Sequence, residues 1–293
     1  MSASLCLAQY RFGGGRGFSG GDNGPIIHTE GGIEVNEDTV RTARETASHS
    51  TGTPNWTNTA SFEKDVFTFA RVIFKRAEWA RGYRSSWMGW LNDYPDSDLN
   101  LSYRLQQMTS LKVDPDGRVI RLTDKDIGDY PFIYMVKPGR MELRSEEVPA
   151  LRKYLLNGGA LMADDFWGEQ EWENFESQIK RVFPERTWSE LPMTHPLFQC
   201  VYPLKMPKNG LQVPPIHVFE RTGSSSRNGE ETRDMHVRAW FDDKQRIIII
   251  ATHNTDNGDG WEREGEESEY FHIFSETRAY PLAINIVFYL MTH

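Results

Sequence analysis

Three uninterrupted apolar runs constrain the fold of this chain more than any other feature of its sequence. They are "PFIYMV" (131–136), "ALMA" (160–163) and "RIIIIAT" (246–252). A strand that is apolar on both faces is covered on both sides, which is typical of a central strand in a parallel sheet. None of the runs reaches the roughly 18–20 apolar residues that a membrane crossing takes, so the sequence predicts no transmembrane span.

Stretches with helical periodicity separate these runs. The segments that we predict as helices are "DSDLNLSYRLQQMTS" (96–110), "SEEVPALRKYLLNGG" (145–159), "EWENFESQIKRVF" (171–183) and "YPLAINIVFYLMTH" (280–293). Buried strands that alternate with amphipathic helices form α/β domains. We therefore predict an α/β fold with a mainly parallel central sheet flanked by helices.

Two further segments have the pattern of β-hairpins. "LKVDPDGRVIRL" (111–122) carries turn residues between two short strands, and "MHVRAWFDDKQRIIIIATHN" (235–254) has a polar turn before its apolar arm. Asp-Pro-Asp-Gly is favourable in a turn because Pro and Gly adopt the backbone angles that a turn needs. We expect both segments to pair their two strands antiparallel.

The beginning of the chain differs in texture from the rest. Residues 1–60 are rich in Gly, Ser and Thr, a composition that buries too little apolar surface to fold alone. We predict a largely disordered tail there and a single domain over 61–293. Residues 1–8 are either the remnant of a signal peptide, with Ala8 before the cleavage point, or a disordered end. The first interpretation predicts a periplasmic or secreted protein, and the second a cytoplasmic one.

The charge and the cysteine count exclude several classes of protein. The formal net charge is −9, which opposes binding to nucleic acid or to an anionic membrane because both need a basic face. Cys6 and Cys200 are too few for a disulfide framework, and neither lies in a zinc-ligand spacing. We therefore predict no nucleic-acid partner and no structural zinc site.

Polar segments follow the predicted strands, which also include "VFTFARVIFK" (66–75), at the points where the strands end. They are "WARGYRSSWMGWLNDYPD" (79–96), "KPGR" (137–140), "DDFWG" (164–168) and "HNTDNGDGWEREGEE" (253–267). Open α/β sheets bind ligands outside the carboxyl ends of their strands, where such segments meet. The sequence therefore predicts a site at this edge, with Asp165, His253 and Asp256 as candidate catalytic residues.

Aromatic and polar side chains of the same segments could line a pocket that stacks against a sugar or a peptide. They could equally be core residues under long loops. The candidate ligand-binding residues are Tyr94, Asp96, Arg104, Asp164, Trp167, Asn254, Trp261 and Glu262.

The adjacent carboxylates Asp164 and Asp165 need an explanation, because like charges side by side in a buried place are costly. One of them could be a general base whose pKa is raised by its neighbour and by burial. Alternatively, the pair, joined by His253, Asp256 or Asp259, could bind a hard divalent cation through oxygen and imidazole ligands.

A third interpretation is structural. One aspartate would cap the helix that begins near Gly168, and the other would pair with Arg104 or Arg263. Residues adjacent in a strand point to opposite faces, so we expect at most one of the two, Asp165, to face the site. His253 could likewise be a structural histidine that is hydrogen-bonded within a long loop.

The chain also resembles a known family. The segments that carry the resemblance include "DYPDSDLNLSYRLQQMTSLKV" (93–113), "LRKYLLNGGALMADDFWG" (151–168) and "THNTDNGDGWEREGE" (252–266). They are similar to the domain-of-unknown-function family 4159, and the likeness runs over 62–293. The resemblance implies a flavodoxin-like fold of the class I glutamine amidotransferase type. It also implies a signal peptide ahead of the domain and an association with the bacterial cell envelope.

The same resemblance implies that the amidotransferase nucleophile is missing. That fold carries a nucleophilic Cys on a tight turn after a central strand, and a His with a nearby acid after a later strand. The first position holds Asp164-Asp165 in this chain, and the second holds His253 with Asp256. Cys200 does not follow a strand at a turn of this kind, so thiolate hydrolysis of glutamine is not expected.

Two functions remain as hypotheses. The first is a non-catalytic domain of the cell envelope that binds a small molecule, a sugar, a peptide or an envelope protein, with no cofactor. The alternative is a metal-assisted hydrolase in which Asp165, His253 and Asp259 hold a divalent cation or act as base.

Overall fold

The parts of the chain that the computed structural model describes are residues 25–29, 31–50, 52–62, 65–80, 89–227 and 229–293. The signal-peptide prediction concerns residues 1–8, which lie outside these ranges. Within them, no helix combines the length and the apolar character that a bilayer crossing requires.

A seven-stranded sheet forms the centre of the described structure. A separate two-stranded hairpin joins β1 (Ile26–His28) to β2 (Glu34–Asn36). The strands of the central sheet, in their spatial order, are β4 (Arg118–Arg121), β3 (Ala70–Ile73), β5 (Phe132–Val136), β6 (Ala160–Phe166), β9 (Ile247–His253), β8 (His236–Phe241) and β7 (Ser189–Glu190).

The first five strands in this order pair in parallel, and the last two pair antiparallel. Numbered along the chain, the parallel strands stand in the order 2-1-3-4-5, which is the order of flavodoxin-like sheets. The predicted α/β class and the mainly parallel sheet are confirmed.

Helices cover both faces of this sheet. They are α1 (Asp96–Met108), α2 (Glu147–Leu156), α3 (Gly168–Val182), α4 (Ile216–Thr222), α5 (Asn257–Glu262), α6 (Ser268–Tyr270) and α7 (Tyr280–Thr292), with the π-helical turn Phe271–Ala279 joining α6 to α7.

Strand β5 shows how the two core layers arise. Ile133 and Met135 pack into one apolar cluster with α2 and α3, and Phe132 and Tyr134 pack into the other with α7. Successive side chains of a strand point to opposite faces, so an uninterrupted apolar run fills both layers at once. This is the physical reason that such a run predicted a central strand.

The hairpin predicted over 111–122 is wrong. Val113 bridges Phe67 in parallel, and Arg118 in β4 pairs with Ala70 in β3, so both predicted arms lie beside the 67–73 stretch instead of beside each other. The chain bends at residues 115–116 and then continues in the same direction. This arrangement buries Val119 and Ile120, the apolar middle of β4, in the cluster that includes residues of α2 and α3. The hairpin predicted over 235–254 is confirmed by the antiparallel pair β8 and β9.

The described part of the predicted N-terminal tail lies on the domain. Val40 and Ala43 are buried, and the Tyr94 hydroxyl donates to the Thr42 carbonyl at 2.9 Å. Trp56 donates its indole N–H to a carbonyl of the domain at 2.8 Å. Apolar and polar contacts both hold this part of the chain, since Val40 and Ala43 belong to an apolar core cluster and the hydrogen bonds of Tyr94 and Trp56 join it to the domain. We call residues 42–50 the N-terminal segment.

A buried guanidinium connects the sheet to α1. Arg71 in β3 is fully buried and forms an ion pair with Asp98, with its Nε 2.9 Å from a carboxylate oxygen. The same guanidinium donates to the carbonyls of Trp90 at 2.8 Å and Asn92 at 2.9 Å. These bonds hold the segment that precedes α1 against the carboxyl end of the sheet.

Substitution Asp98→Asn should lower the free energy of unfolding by about 3 kcal/mol, because it leaves the buried Arg71 charge without its counter-ion. Urea denaturation followed by circular dichroism measures the loss. The matched control is Asp243→Asn, which breaks the ion pair of Arg186 with a side chain that is 91% exposed; it should leave stability nearly unchanged. Equal effects of the two substitutions would contradict this prediction.

Candidate functional site

Four non-glycine residues with left-handed backbone angles meet at the carboxyl edge of the sheet. Lys137, Asp165 and Asn254 lie at the ends of β5, β6 and β9, with φ of 51°, 55° and 59°, and Asp93, with φ of 60°, precedes α1. This conformation costs about 1–2 kcal/mol for a residue with a side chain. Such strain persists only where the surroundings impose it, and it concentrates at functional sites.

Five carboxylates converge at this edge, and we call them the acid cluster. Its members are Asp93, Asp165, Asp256, Asp259 and Glu262. Two sets of three carboxylates share Asp93. In each set, one oxygen from every member lies within 4.8 Å of the others. The most exposed member is Asp259, at 6%. So much buried negative charge needs protons or cations to balance it.

Asp165 has a cation of its own. Its carboxylate forms an ion pair with the Lys137 ammonium, and accepts hydrogen bonds from the Trp167 indole at 2.9 Å and the Asn92 amide at 3.0 Å. Burial is the largest single influence on the pKa of Lys137 and lowers it, but the charges of Asp165, Asp256 and Asp93 together make the net direction upward. Lys137 therefore stays charged and neutralises one member of the cluster.

Asp93 is the member with an unsatisfied oxygen. Its Oδ1 accepts from the Asn92 amide, whereas its Oδ2 has no hydrogen-bond partner among the described residues, and the side chain is 1% exposed. A methyl group at Gly258 would overlap Oδ2, so glycine is required for this close approach. Burial raises the pKa of Asp93 well above its usual range, and the charges of Asp259 and Glu262 raise it further.

Asp256 holds the start of α5, and Asp259 holds the start of α4. Asp256 accepts from the backbone N–H of Asp259 at 2.9 Å, and Asp259 accepts from the N–H of Ile216 at 2.7 Å. Burial raises the pKa of both carboxyls, and the neighbouring charge of Asp165 adds to the effect. The two groups are thus structural and electrostatically strained at once.

Asp164 lies beside the cluster but is saturated with donors. It accepts from the Thr252 hydroxyl at 2.5 Å, the Asn257 amide at 2.7 Å and the backbone N–H groups of Asn257 and Gly258 at 3.0 and 3.2 Å. Burial raises its pKa to about 7, although the bonds from Thr252 and Asn257 oppose the rise. Asp164 therefore caps α5.

The structural interpretation predicted that one aspartate caps a helix and that the other pairs with a cation. Both kinds of contact are present, but with different partners. The capped helix is α5 and not the one that begins at Gly168, and the cation paired with Asp165 is Lys137 and not Arg104 or Arg263. Arg104 instead pairs with a glutamate that follows α5.

The expectation that at most one of the two aspartates faces the site depended on strict alternation along β6, which the structure does not show. Asp164 binds the first N–H groups of α5, and Asp165 lies against Asp256 immediately before that helix. The strand pairing of β6 shifts register between Ala163 and Phe166, and Asp165 is left-handed within that shift. A bulge of this kind breaks the two-residue alternation on which the expectation depended.

His253 lies on the other side of the sheet from the acid cluster. Its Nε2 donates to the Gly168 carbonyl at 3.0 Å, its Nδ1 accepts from Arg238 at 3.3 Å, and its ring packs on Phe166 and Trp172. Burial, and then the Arg238 charge, lower its pKa to about 3. The structure therefore does not join His253 to Asp165 as the expected base or metal ligand.

The aromatic candidates do not form an open stacking surface. Tyr94 and Trp261 are fully buried, and Trp261 packs between Phe69 and Tyr134. Trp167 is 6% exposed and donates to the acid cluster. The core interpretation of these side chains agrees with their burial. Asn254 is buried too, and its amide carbonyl accepts from the N–H of Gly168 at 2.9 Å.

His49 of the N-terminal segment joins two of the candidates. Its Nε2 lies 2.7 Å from Glu262 Oε1, and its Nδ1 lies 3.0 Å from Asp96 Oδ2. Hydrogen bonds to Asp96 and Glu262 raise the pKa of His49 to about 10, against the effect of burial. Sequence reasoning missed His49 because the segment was assigned to a disordered tail. It also missed Asp93 and Lys137, although both lie in segments predicted to reach this edge.

Substitution His253→Gln should flatten the dependence of stability on pH. The unfolded chain protonates His253 below about pH 6.5, whereas the folded protein does so only near pH 3. Between these two pH values the unfolded state therefore binds more protons than the folded state, and the free energy of unfolding decreases as the pH is lowered. Wild type should lose about 2 kcal/mol more than the variant between pH 7 and pH 5. Urea denaturation at both values measures the difference.

The matched control for that measurement is His28→Gln, at a side chain that is 52% exposed. It should keep the pH dependence of the wild type. If His253→Gln and His28→Gln respond to pH alike, the neutral state assigned to His253 is wrong.

Comparison with known proteins adds a family to this geometry. The protein-family model described as Domain of unknown function (DUF4159) matches residues 68–291. No curated protein matches the chain. The relation to class I glutamine amidotransferases stays a prediction. The matched span runs from just before β3 into α7 and contains the acid cluster. Because the match covers most of the chain, the chain belongs to the DUF4159 family.

Proposed function

We propose that this chain is a non-catalytic binding domain whose acid cluster binds a hard divalent cation. The observation that carries the proposal is Asp93 Oδ2, a buried carboxylate oxygen without a hydrogen-bond partner among the described residues. It belongs to a set of three carboxylates, with Asp165 and Asp256, whose oxygens lie within 4.8 Å of one another. We call this set the first position.

The charges at the first position favour a divalent ion over a further ammonium group. Three carboxylates meet there, and Lys137 pairs with one of them. Burial, and then the charges of neighbouring carboxylates, raise the pKa values of Asp93 and Asp256, so without a cation these acids take up protons. A divalent ion would neutralise both carboxylates together and supply the partner that Asp93 Oδ2 lacks.

The donor atoms indicate which class of cation fits. The first position offers carboxylate oxygens alone among the described residues, and both ring nitrogens of His253 are bonded elsewhere. Oxygen ligands suit Ca²⁺, Mg²⁺ and Mn²⁺, whereas zinc sites use Cys and His. The sequence suggested Asp165, His253 and Asp259 as ligands of a divalent cation. We propose Asp93, Asp165 and Asp256 instead.

Burial supports binding over turnover. Asp93 and Asp256 are each 1% exposed, and Asp165 is fully buried. A substrate needs contact with the reacting groups, whereas a small cation can be enclosed as the domain folds. We extend the proposal to an extracytoplasmic domain that recognises a small molecule, a sugar, a peptide or an envelope protein, on the strength of the family resemblance.

One observation favours the alternative, a metal-assisted hydrolase. Left-handed residues such as Lys137 and Asp165 concentrate at the same edge as the acids, and backbone strain often accompanies catalysis. Under this alternative the cation would activate water. Turnover of chromogenic glycosides or peptide amides that requires Mn²⁺ and is lost in Asp256→Asn would make the hydrolase the better proposal.

Divalent cations should stabilise the wild type and not Asp93→Asn. At about 100 times the dissociation constant the gain is about 2.7 kcal/mol, or about 5–10 °C in melting temperature for a domain of this size. Because the cluster is closed, the protein is refolded in EDTA or in Ca²⁺, Mg²⁺ or Mn²⁺ before thermal denaturation. In EDTA the variant should melt above the wild type, since an amide in place of the Asp93 carboxyl avoids the free energy that burying or protonating this acid costs.

Glu147→Gln is the matched control for this experiment. Glu147 is also buried, but it lies outside the acid cluster and accepts from the backbone N–H of Arg144. This variant should keep the full response to cations. The proposal is refuted if no cation raises the melting temperature of the wild type, or if Asp93→Asn responds as strongly as the wild type does.

A further inference from the structure

The acid cluster contains a second set of carboxylates that the first position does not use. Asp93, Asp259 and Glu262 also place one oxygen each within 4.8 Å of the others, and all three are buried. Asp93 is the residue that the two sets share. A carboxylate shared between neighbouring cations is the arrangement of two-metal sites, whose ions lie about 3.5–4 Å apart.

An unsatisfied oxygen is aimed into this part of the cluster as well. Asp93 Oδ2 approaches Gly258 in α5, the helix that also carries Asp259 and Glu262. It has no hydrogen-bond partner among the described residues. The oxygen thus points toward the helix that supplies the other two carboxylates of the second set.

The N-terminal segment already supplies a cation to the second set. His49 Nε2 lies 2.7 Å from Glu262 Oε1, and Arg263 Nε lies 2.8 Å from Glu262 Oε2. Both oxygens of Glu262 are therefore occupied. A metal ion bound by Glu262 would have to take the place of the His49 contact, because Arg263 is the next residue in the chain and stays beside it.

The same histidine is an anchor of the N-terminal segment. His49 also reaches Asp96, Ser48 bonds to Asp96, and Ser50 donates to the Glu262 carbonyl at 2.9 Å. These contacts all lie at the junction of α1 and α5. Loss of the His49–Glu262 contact would remove one of the bonds that hold the segment over the acid cluster.

We infer that Asp93, Asp259 and Glu262 form a second position for a hard divalent cation, and that His49 competes with the metal for Glu262. This inference rests on the proposed function, because Asp93 is a ligand of both positions. It adds that the N-terminal segment and a second cation compete for Glu262. A chain without the His49 contact binds two cations, and a chain with it binds one.

The test compares His49→Gln with His49→Lys, using Mn²⁺ as the probe. Each protein is refolded in EDTA, dialysed to equilibrium against Mn²⁺ and analysed for bound metal and for its electron paramagnetic resonance spectrum. Wild type and His49→Lys should bind one Mn²⁺ per chain with the resolved hyperfine signal of an isolated ion. His49→Gln should bind two per chain, and magnetic coupling between the close ions should broaden that signal.

Glu262→Gln in the His49→Gln background provides the control for the second position. It should return the stoichiometry to one, and circular dichroism checks that each variant is folded. If His49→Gln binds one ion, as the wild type does, the second position is wrong and the first position stands. If neither protein binds Mn²⁺, the proposed function fails together with this inference. Two ions in the wild type would show that His49 does not compete.

Discussion

The buried ion pair between Arg71 and Asp98 is the contact on which the acid cluster depends. Arg71 lies in β3, and its guanidinium also holds the carbonyls of Trp90 and Asn92. The segment fixed in this way delivers Asp93 to the ends of β6 and β9, where the other acids lie. An apolar side chain could fill the same space but would not fix a loop, because the guanidinium offers five donors in one rigid plane.

Excess negative charge is the second constraint, and it explains why distant parts of the chain meet here. Lys137 comes from the end of β5, Arg263 follows α5 and His49 comes from the N-terminal segment. Lys137 pairs with Asp165, whereas His49 and Arg263 pair with the two carboxylate oxygens of Glu262. Docking of the N-terminal segment is therefore part of neutralising the site. This is an electrostatic role, which an apolar pattern in the sequence does not reveal.

Much of the architecture could be predicted because burial on both faces leaves a local signature. The apolar runs identified central strands, and the polar segments after them did meet at one edge, where Asp165 and Asp256 are close together. The placement of His253 could not be predicted, because it depends on the register between β6 and β9. Phe166 pairs with His253 beyond a register shift, and that placement sends the histidine to the face opposite the acids. No sequence pattern marked the shift.

By itself, the sequence determined the fold class and the edge of the sheet at which a site can form, because hydrophobic periodicity is a property of each element alone. Only the tertiary structure decided which acids meet and which cations balance them. Those contacts depend on left-handed turns at Asp93 and Asp165 and on a histidine more than 200 positions away from Glu262. In a buried site the electrostatic energy determines which charges pair. That energy depends on the distance between the charges in space and not on their separation along the chain.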